Sequence, residues 1–180
     1  VSVLALNLGQ QVDDPDGGVN FTQTIGTRAG YKAEKFTAFL NFYHQSGALA
    51  NDKDNPTTVN ANLIGADISF KASDNINLVV GFESQSGISQ IEASDDFTAF
   101  SPYFGTNHKF NGFMDYFYVG NHGGSVGLND AYVKAKFKKN KFNGGIDVHY
   151  FMAGADVNDG EGKAMSSGLG TEVDVYFGTT

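Results

Sequence analysis

The chain has 180 residues, a formal net charge of -8 and no cysteine. The lack of cysteine excludes a disulfide scaffold and a cysteine-ligated metal site, and the acidic balance argues against nucleic acid as a partner, because no basic stripe is present to neutralise phosphates. The sequence also has no run of about 18 apolar residues, so it predicts no transmembrane helix.

Apolar and polar residues alternate through most of the chain, and this alternation predicts β-strands. From Phe36 to Phe42, for example, every second residue is apolar and the residues between are mostly polar. Successive side chains of a strand point to opposite faces, so each such segment makes a strand with one apolar and one polar face. The predicted strands, in chain order, cover residues 1–8, 19–32, 35–47, 59–71, 76–87, 127–138, 141–154 and 168–178.

Strand and loop lengths point to a membrane. Most predicted strands have roughly 10–14 residues, whereas soluble strands have about 5–6 and a tilted strand crosses a bilayer with about 9–11. Short turns alternate with long polar loops, as in outer-membrane barrels. The turns are 33–34, 72–75 and 139–140, and the loops are 9–18, 48–58, 88–126 and 155–167. The sequence therefore predicts an all-β fold, an antiparallel up-and-down transmembrane β-barrel, as part of a larger barrel of about 14 or more strands. Residues 1–180 would be one barrel domain or a fragment of one.

The charged residues of the strands all fall on one face. A lysine or arginine facing lipid at mid-bilayer costs about 2–4 kcal/mol, so a charge-free face predicts contact with lipid and the opposite face predicts a pore lining. The predicted pore-lining residues are Arg28, Lys32, Asp67, Lys71, Glu83, Asp130, Lys134, Lys136, Asp147, His149, Glu172 and Asp174.

Charges are also unevenly distributed along the strand direction. Lysines crowd the short turns and carboxylates crowd the long loops, which would give the two mouths fields of opposite sign and bias ion entry. The alternative is that both ends are charged only for solubility. The acidic loops 13–18 and 156–161 could hold calcium, but neither matches an EF-hand loop, so we predict no metal and no other cofactor.

The long connection 88–126 carries aromatic residues on both faces of any strand drawn through it. One interpretation is an extra hairpin, and the other is a loop folded into the lumen or packed on a partner. We predict that 105–119 lies inside the barrel or across its mouth as a constriction loop. In this prediction Phe110, Phe113 and Phe117 pack against the inner wall, and Lys109 and Asp115 face the passage.

One stretch of the sequence resembles a known family. Residues 103–117 (YFGTNHKFNGFMDYF), followed by 127–130 (GLND), are similar to the alginate export family of outer-membrane porin-like barrels, and 149–151 and 168–174 fit the same family in Bacteroidetes-type bacteria. The resemblance covers about 19–178, and its first stretch is the most specific. It implies a C-terminal part of a longer barrel in the outer membrane of a Gram-negative bacterium. The implied partners are the lipid bilayer and lipopolysaccharide, small solutes or polysaccharide, and other outer-membrane subunits.

Catalysis has little support in the sequence. The four histidines, His44, His108, His122 and His149, have no spacing typical of a zinc site. His149 could join Asp147 and Ser69 in a hydrolytic triad, but a polar network in the lumen explains the same residues, so we expect no enzyme. Two other functions remain open: a structural or accessory barrel within a larger surface complex, whose eight strands would close around a filled interior, and a soluble β-sandwich or lectin.

Overall fold

The computed structural model of the chain describes residues 1–15, 17–105, 110–117 and 122–179. The fold is all-β: eight strands form one antiparallel up-and-down sheet in which each strand pairs with its neighbours in sequence. The strands are β1 (Ser2–Gln11), β2 (Val19–Lys32), β3 (Phe36–Ala48), β4 (Thr58–Lys71), β5 (Ile76–Gln85), β6 (Leu128–Lys139), β7 (Phe142–Met152) and β8 (Gly168–Thr179). The eight strands predicted from the alternation are therefore confirmed. Within the described ranges, no helix is long and apolar enough to cross a membrane.

Three tight turns join the strands at one end of the sheet. In the β2–β3 turn the amide of Ala33 donates to the carbonyl of Phe36 at 2.8 Å, and in the β4–β5 turn the amide of Ala72 donates to the carbonyl of Ile76 at 3.0 Å. The β6–β7 turn contains Asn140 with φ of 54°, a left-handed conformation that asparagine adopts more readily than most residues. These short turns fix the register of each hairpin.

The register brings a mostly apolar set of residues from each of β2–β8 onto one face, which we call the apolar face. In β1 this face carries Val3 and Ala5, whereas Leu4, Leu6 and Leu8 lie on the opposite face with Arg28. Leu40, Ala66, Phe82 and Ala131 lie side by side across β3–β6. Most large side chains of this face are exposed, and Val80 is 59% exposed. Among the strand residues, the one charge in register with this face is Lys139, at the end of β6. The sheet therefore presents a wide, almost charge-free apolar surface.

Aromatic side chains occupy both ends of the apolar face. Near the turns these are Tyr31, Phe36, Phe70, Phe137, Phe142 and Phe177, and nearer the loops they are Phe21, Phe42, Phe82 and Tyr150. On β7, Phe142 and Tyr150 are eight residues apart, which corresponds to about 27 Å along the strand. A strand tilt of about 40° would reduce this to a height of about 20 Å.

The sheet has two open edges. Strands β1 and β8 each pair with a single neighbour, and the described residues contain no pairing between the two. Along each edge, every second residue of β1 (10 residues) and of β8 (12 residues) directs its backbone N–H and C=O groups away from the sheet, and these groups are left unpaired.

The long connection between β5 and β6 adds no strand to the sheet in the parts of it that the structure describes. An isolated bridge joins Phe97 to Val59 of β4. The interpretation of this connection as an extra lipid-facing hairpin, which the sequence allowed, is therefore wrong for these residues. The connection instead lies over the face opposite the apolar one.

Candidate functional site

All twelve predicted pore-lining residues lie on one face of the sheet, which we call the polar face. The register shows this directly, because Arg28, Asn41, Gly65, Glu83 and Asp130 form one continuous row across β2–β6. Each of the other predicted residues lies an even number of positions from a residue of this row, or is linked by register pairs to a residue that does. Their side chains therefore point to the same face as the row. The alternation in the sequence was sufficient to find this face.

Burial divides the polar face into two zones. The ionisable residues of β6–β8 nearest the loops are buried, and His149 and Asp130 are both 0% exposed. The basic residues nearer the turns, and Arg28 on β2, are exposed to solvent. The buried group is Asp130, Asp147, His149, Glu172 and Asp174, and the exposed basic group is Arg28, Lys32, Lys71 and Lys136. The carboxylates are therefore covered, whereas most of the basic side chains are open.

Residues 110–117, which we call the covering segment, lie on the buried carboxylates. Asn111 donates its side-chain amide to Asp130 at 3.2 Å and to Glu83 at 3.4 Å. The backbone amide of Phe113 donates to Asp174 at 3.3 Å, and that of Met114 donates to Glu172 at 2.8 Å. Hydrogen bonds to ionised acceptors are stronger than neutral ones, so four carboxylates from three strands hold this segment against the sheet.

Apolar contacts add to these hydrogen bonds. The ring of Phe117 is 8% exposed and packs on Phe151, with 4.6 Å between ring centroids. Together with Leu128 these two rings form a small buried cluster under the covering segment. Full burial of a phenylalanine contributes about 1.5–3 kcal/mol, so Phe117 is the main apolar anchor of the segment.

The other predicted constriction residues are placed differently from one another. Phe113 contacts Tyr176 edge-on at 5.4 Å, although much of its ring remains exposed. Phe110, which we expected against the wall, is 68% exposed, so that part of the prediction is wrong. Asp115 lies in the covering segment with φ of 55° and is half-buried. Lys109 lies outside the described residues.

Gly112 is a residue of this site that the sequence reasoning missed. Its φ is +85°, and a Cβ atom added there would overlap the carboxylate of Glu172. The close approach between the covering segment and β8 therefore requires a residue without a side chain. The Asn-Gly pair at 111–112 was the available signal, because such a pair marks a tight change of chain direction.

A buried glutamine also holds a second part of the long connection against the sheet. Gln45 of β3 is buried, and its side chain accepts a hydrogen bond from the amide of Ser101 at 2.8 Å and donates to the carbonyl of Ser101 at 2.6 Å. Phe100 beside it is buried as well. The connection is therefore attached to the polar face over β3 as well as over β6–β8.

The buried ionisable groups form pairs that do not support a hydrolytic triad. His149 Nδ1 lies 2.9 Å from both carboxylate oxygens of Asp130. Asp147, the partner that a triad would need, instead faces Lys134 at 3.4 Å and accepts from the hydroxyl of Tyr176 at 3.4 Å. The arrangement of Asp147, His149 and Ser69 that the sequence allowed is therefore not assembled.

In the loops that the sequence singled out for calcium, the described residues, which do not include Asp16, show no grouped ligands. No three side chains of His, Asp and Glu in the described ranges lie together as a metal ion would require. In the neighbouring loop, the backbone amides of Asn55 and Asp54 bond to Asp52 and hold the pKa of that carboxyl below its usual value. Asp159 likewise accepts from the amides of Glu161 and Lys163, so these carboxylates organise their own loops.

A cleft of about 310 Å³ opens on the polar face between the long connection and β2–β5. Its wall includes a guanidinium, a carboxylate, three amides and two aromatic rings. These belong to Arg28, Glu83, Asn41, Gln85, Asn111, Tyr43 and Phe110. Concave sites with a few convergent polar groups are where proteins usually bind small molecules.

Comparison of the chain with protein-family models, with curated proteins and with solved structures found no match.

Proposed function

We propose that this chain forms wall strands of an outer-membrane porin-like channel that passes small solutes or polysaccharide. The observation that carries the proposal is the two-faced sheet. One face is apolar, exposed and free of charge up to Lys139 at the end of β6, and the other holds all twelve ionisable residues expected of a pore lining.

Lipid is the environment that suits the apolar face. Soluble proteins rarely expose a contiguous apolar patch larger than a few hundred Å², and here every strand contributes to such a surface. Aromatic residues at both ends of the apolar region match the aromatic girdles of membrane barrels. The region is about 20 Å high after tilt, close to the band of about 25 Å found in outer-membrane barrels.

The open edges favour a barrel with more strands than these eight. In a bilayer an unpaired backbone group costs several kcal/mol, because no water is present to bond it. The edges of β1 and β8 must therefore be paired in the membrane, either with each other or with further strands. We propose further strands, giving about 14 or more, because a wider barrel leaves room for a passage beside the connection that covers part of the polar face.

The covering segment would narrow that passage. It shields the carboxylates of β6–β8 and leaves Arg28, Lys32, Lys71 and Lys136 facing the open space. The resemblance of residues 103–117 to alginate export barrels supports the same role, since this stretch includes the covering segment. It also supports a location in the outer membrane of a Gram-negative bacterium.

A second candidate function is a structural or accessory barrel in a larger surface complex. The observation in its favour is that the long connection already occupies part of the polar face, as in a barrel whose interior is filled. The strand number of the complete barrel separates the two functions, because a filled scaffold needs only about 8 strands and an open pore needs more.

Conductance measurements test the channel directly. The full-length protein, reconstituted in planar bilayers, should give stepwise current increases in potassium chloride, because a wide barrel holds continuous water. A control addition of the same detergent without protein should give none. If protein with a verified β-sheet circular dichroism spectrum inserts into bilayers and gives no steps, the channel proposal fails and the accessory barrel is favoured.

A further inference from the structure

The cleft on the polar face has opposite charges at its two ends. Arg28 and Glu83 occupy the same row of the sheet, with Asn41 and Gly65 between them. Three strand spacings separate their backbones, a distance of about 14 Å. A Cβ atom added at Gly65 would lie 3.4 Å from Nδ2 of Asn41 and 3.7 Å from Cγ of Glu83, so these two side chains pack beside Gly65. Arg28 and Glu83 both contribute atoms to the wall of the cleft.

Within the described residues, neither charged end is neutralised by a salt bridge. The carboxylate of Glu83 accepts hydrogen bonds from the amides of Gln85 and Asn111, at 2.8 and 3.4 Å. Its partner in the register of β5 and β6 is Asp130, another carboxylate. A half-buried carboxylate with amide donors and an acidic neighbour is a favourable place for an ammonium group.

The guanidinium of Arg28 has N–H donors available for a ligand. It lies over the ring of Phe39 at 4.1 Å and donates one bond to Asn41 at 2.8 Å. Neither partner carries a charge. The charge of Arg28 also acts on the carboxylate of Asp67, but among the described residues the two form no salt bridge. A guanidinium has five N–H donors arranged to meet a carboxylate in a bidentate manner, so this end of the cleft suits a carboxylate.

We propose that this cleft binds a zwitterionic solute of about dipeptide size, with its carboxylate at Arg28 and its ammonium group at Glu83. An extended dipeptide spans about 7 Å, which fits between two charged side chains that project from backbones about 14 Å apart. The cleft volume of about 310 Å³ is at the lower end of the range for small-molecule sites. Tyr43 and Phe110 would contact the apolar part of the solute.

The inference rests on the proposed channel, because it names a solute class for the same polar face. A solute with only one charge would leave the opposite end of the cleft unmatched, and a neutral sugar would leave both unmatched. The site would therefore favour zwitterions over anions, cations and neutral sugars of similar size.

Calorimetry on the detergent-solubilised full-length protein tests this inference independently of conductance. The probes are L-alanyl-L-alanine, its N-acetylated form, its C-terminal amide and a neutral disaccharide. The unmodified dipeptide should bind at least about tenfold more tightly than each of the others, because each lacks at least one charge-assisted contact. This ranking in the unmodified protein needs no variant.

Two variants then assign the ends of the cleft. In Glu83→Gln the dipeptide should lose its advantage over the N-acetylated form, and in Arg28→Gln it should lose its advantage over the amide. Asp74→Asn is the matched control. Asp74 lies in the β4–β5 turn, 3.0 Å from Lys71 and away from the cleft, and this change should leave the ranking intact.

Equal binding of the four probes, no binding of the dipeptide, or a ranking unchanged in both cleft variants would overturn the inference. If the protein bound the dipeptide but gave no conductance steps, the channel proposal would fail and the binding site would stand. If the protein gave conductance steps but did not bind the dipeptide, only the proposed binding site would be rejected.

Discussion

Lysine in place of Val80 should destabilise the membrane-inserted protein by about 2–4 kcal/mol, whereas lysine at the neighbouring Val79 should have a much smaller effect. The two valines are adjacent on β5 and point to opposite faces. Val80 lies on the apolar face and is 59% exposed, so a lysine there would face lipid. Val79 lies on the polar face between Ser69 and Lys134. The measurement is the free energy of unfolding by denaturant in lipid vesicles.

Val79→Lys serves as the matched control for this experiment. The new lysine would face Lys134 across the strands, but Lys134 already pairs with Asp147 at 3.4 Å, and a like-charge cross-strand pair changes stability by only about 0.2–1 kcal/mol. If Val80→Lys proved as stable as the unmodified protein, or more stable, the apolar face would not lie in lipid, and a soluble sandwich would be the better description.

Alanine in place of Phe117 should release the covering segment, whereas alanine in place of Phe110 should not. Removing a buried phenylalanine ring costs about 3–5 kcal/mol, and Phe117 loses its contacts with Phe151 and Leu128. That cost is comparable to the contribution of the hydrogen bonds from Phe113 and Met114 to the carboxylates. Phe110 is 68% exposed, so its ring contributes little to docking.

Limited proteolysis and single-channel recording together report on this release. Phe117→Ala should be cleaved faster within 105–119 and should conduct more than the unmodified protein, and deletion of 105–119 should raise the conductance further without unfolding the wall. Phe110→Ala should match the unmodified protein in both assays. Equal cleavage and equal conductance in the two alanine variants would show that the segment does not narrow the passage.

The strands were predictable because their signal is local. The period-two pattern of apolar residues is present within each strand, and it placed β2 at 19–32 and β4 at 59–71, where the structure has Val19–Lys32 and Thr58–Lys71. The same alternation separated the two faces, because side chains of one strand cannot exchange faces without a shift of register. Lys139 joined the apolar face only because β6 continues one residue beyond its predicted end.

The covering segment was only partly predictable because its contacts are not local. The bonds from Phe113 and Met114 reach carboxylates about 60 residues later in the chain, with separations of 61 and 58. Aromatic content indicated that this stretch packs on something, but it could not distinguish the buried Phe117 from the exposed Phe110. Likewise, the sequence offered Asp147 as a partner for His149, and only the pairing of β6 with β7 brings Asp130 to it instead.

Spin labels along β5 would show whether this sheet is a membrane wall with one face in lipid. These 180 residues have no cysteine, so single cysteines at positions 76–85 can be labelled in the full-length protein, with any cysteine elsewhere in it replaced by serine, and the labelled protein reconstituted in vesicles. Accessibility to oxygen should peak at 76, 78, 80 and 82, and accessibility to a water-soluble nickel complex should peak at the positions between them, because side chains alternate between lipid and the aqueous interior. High accessibility to the nickel complex at 78 and 80 would show that the apolar face lies in water and not in lipid.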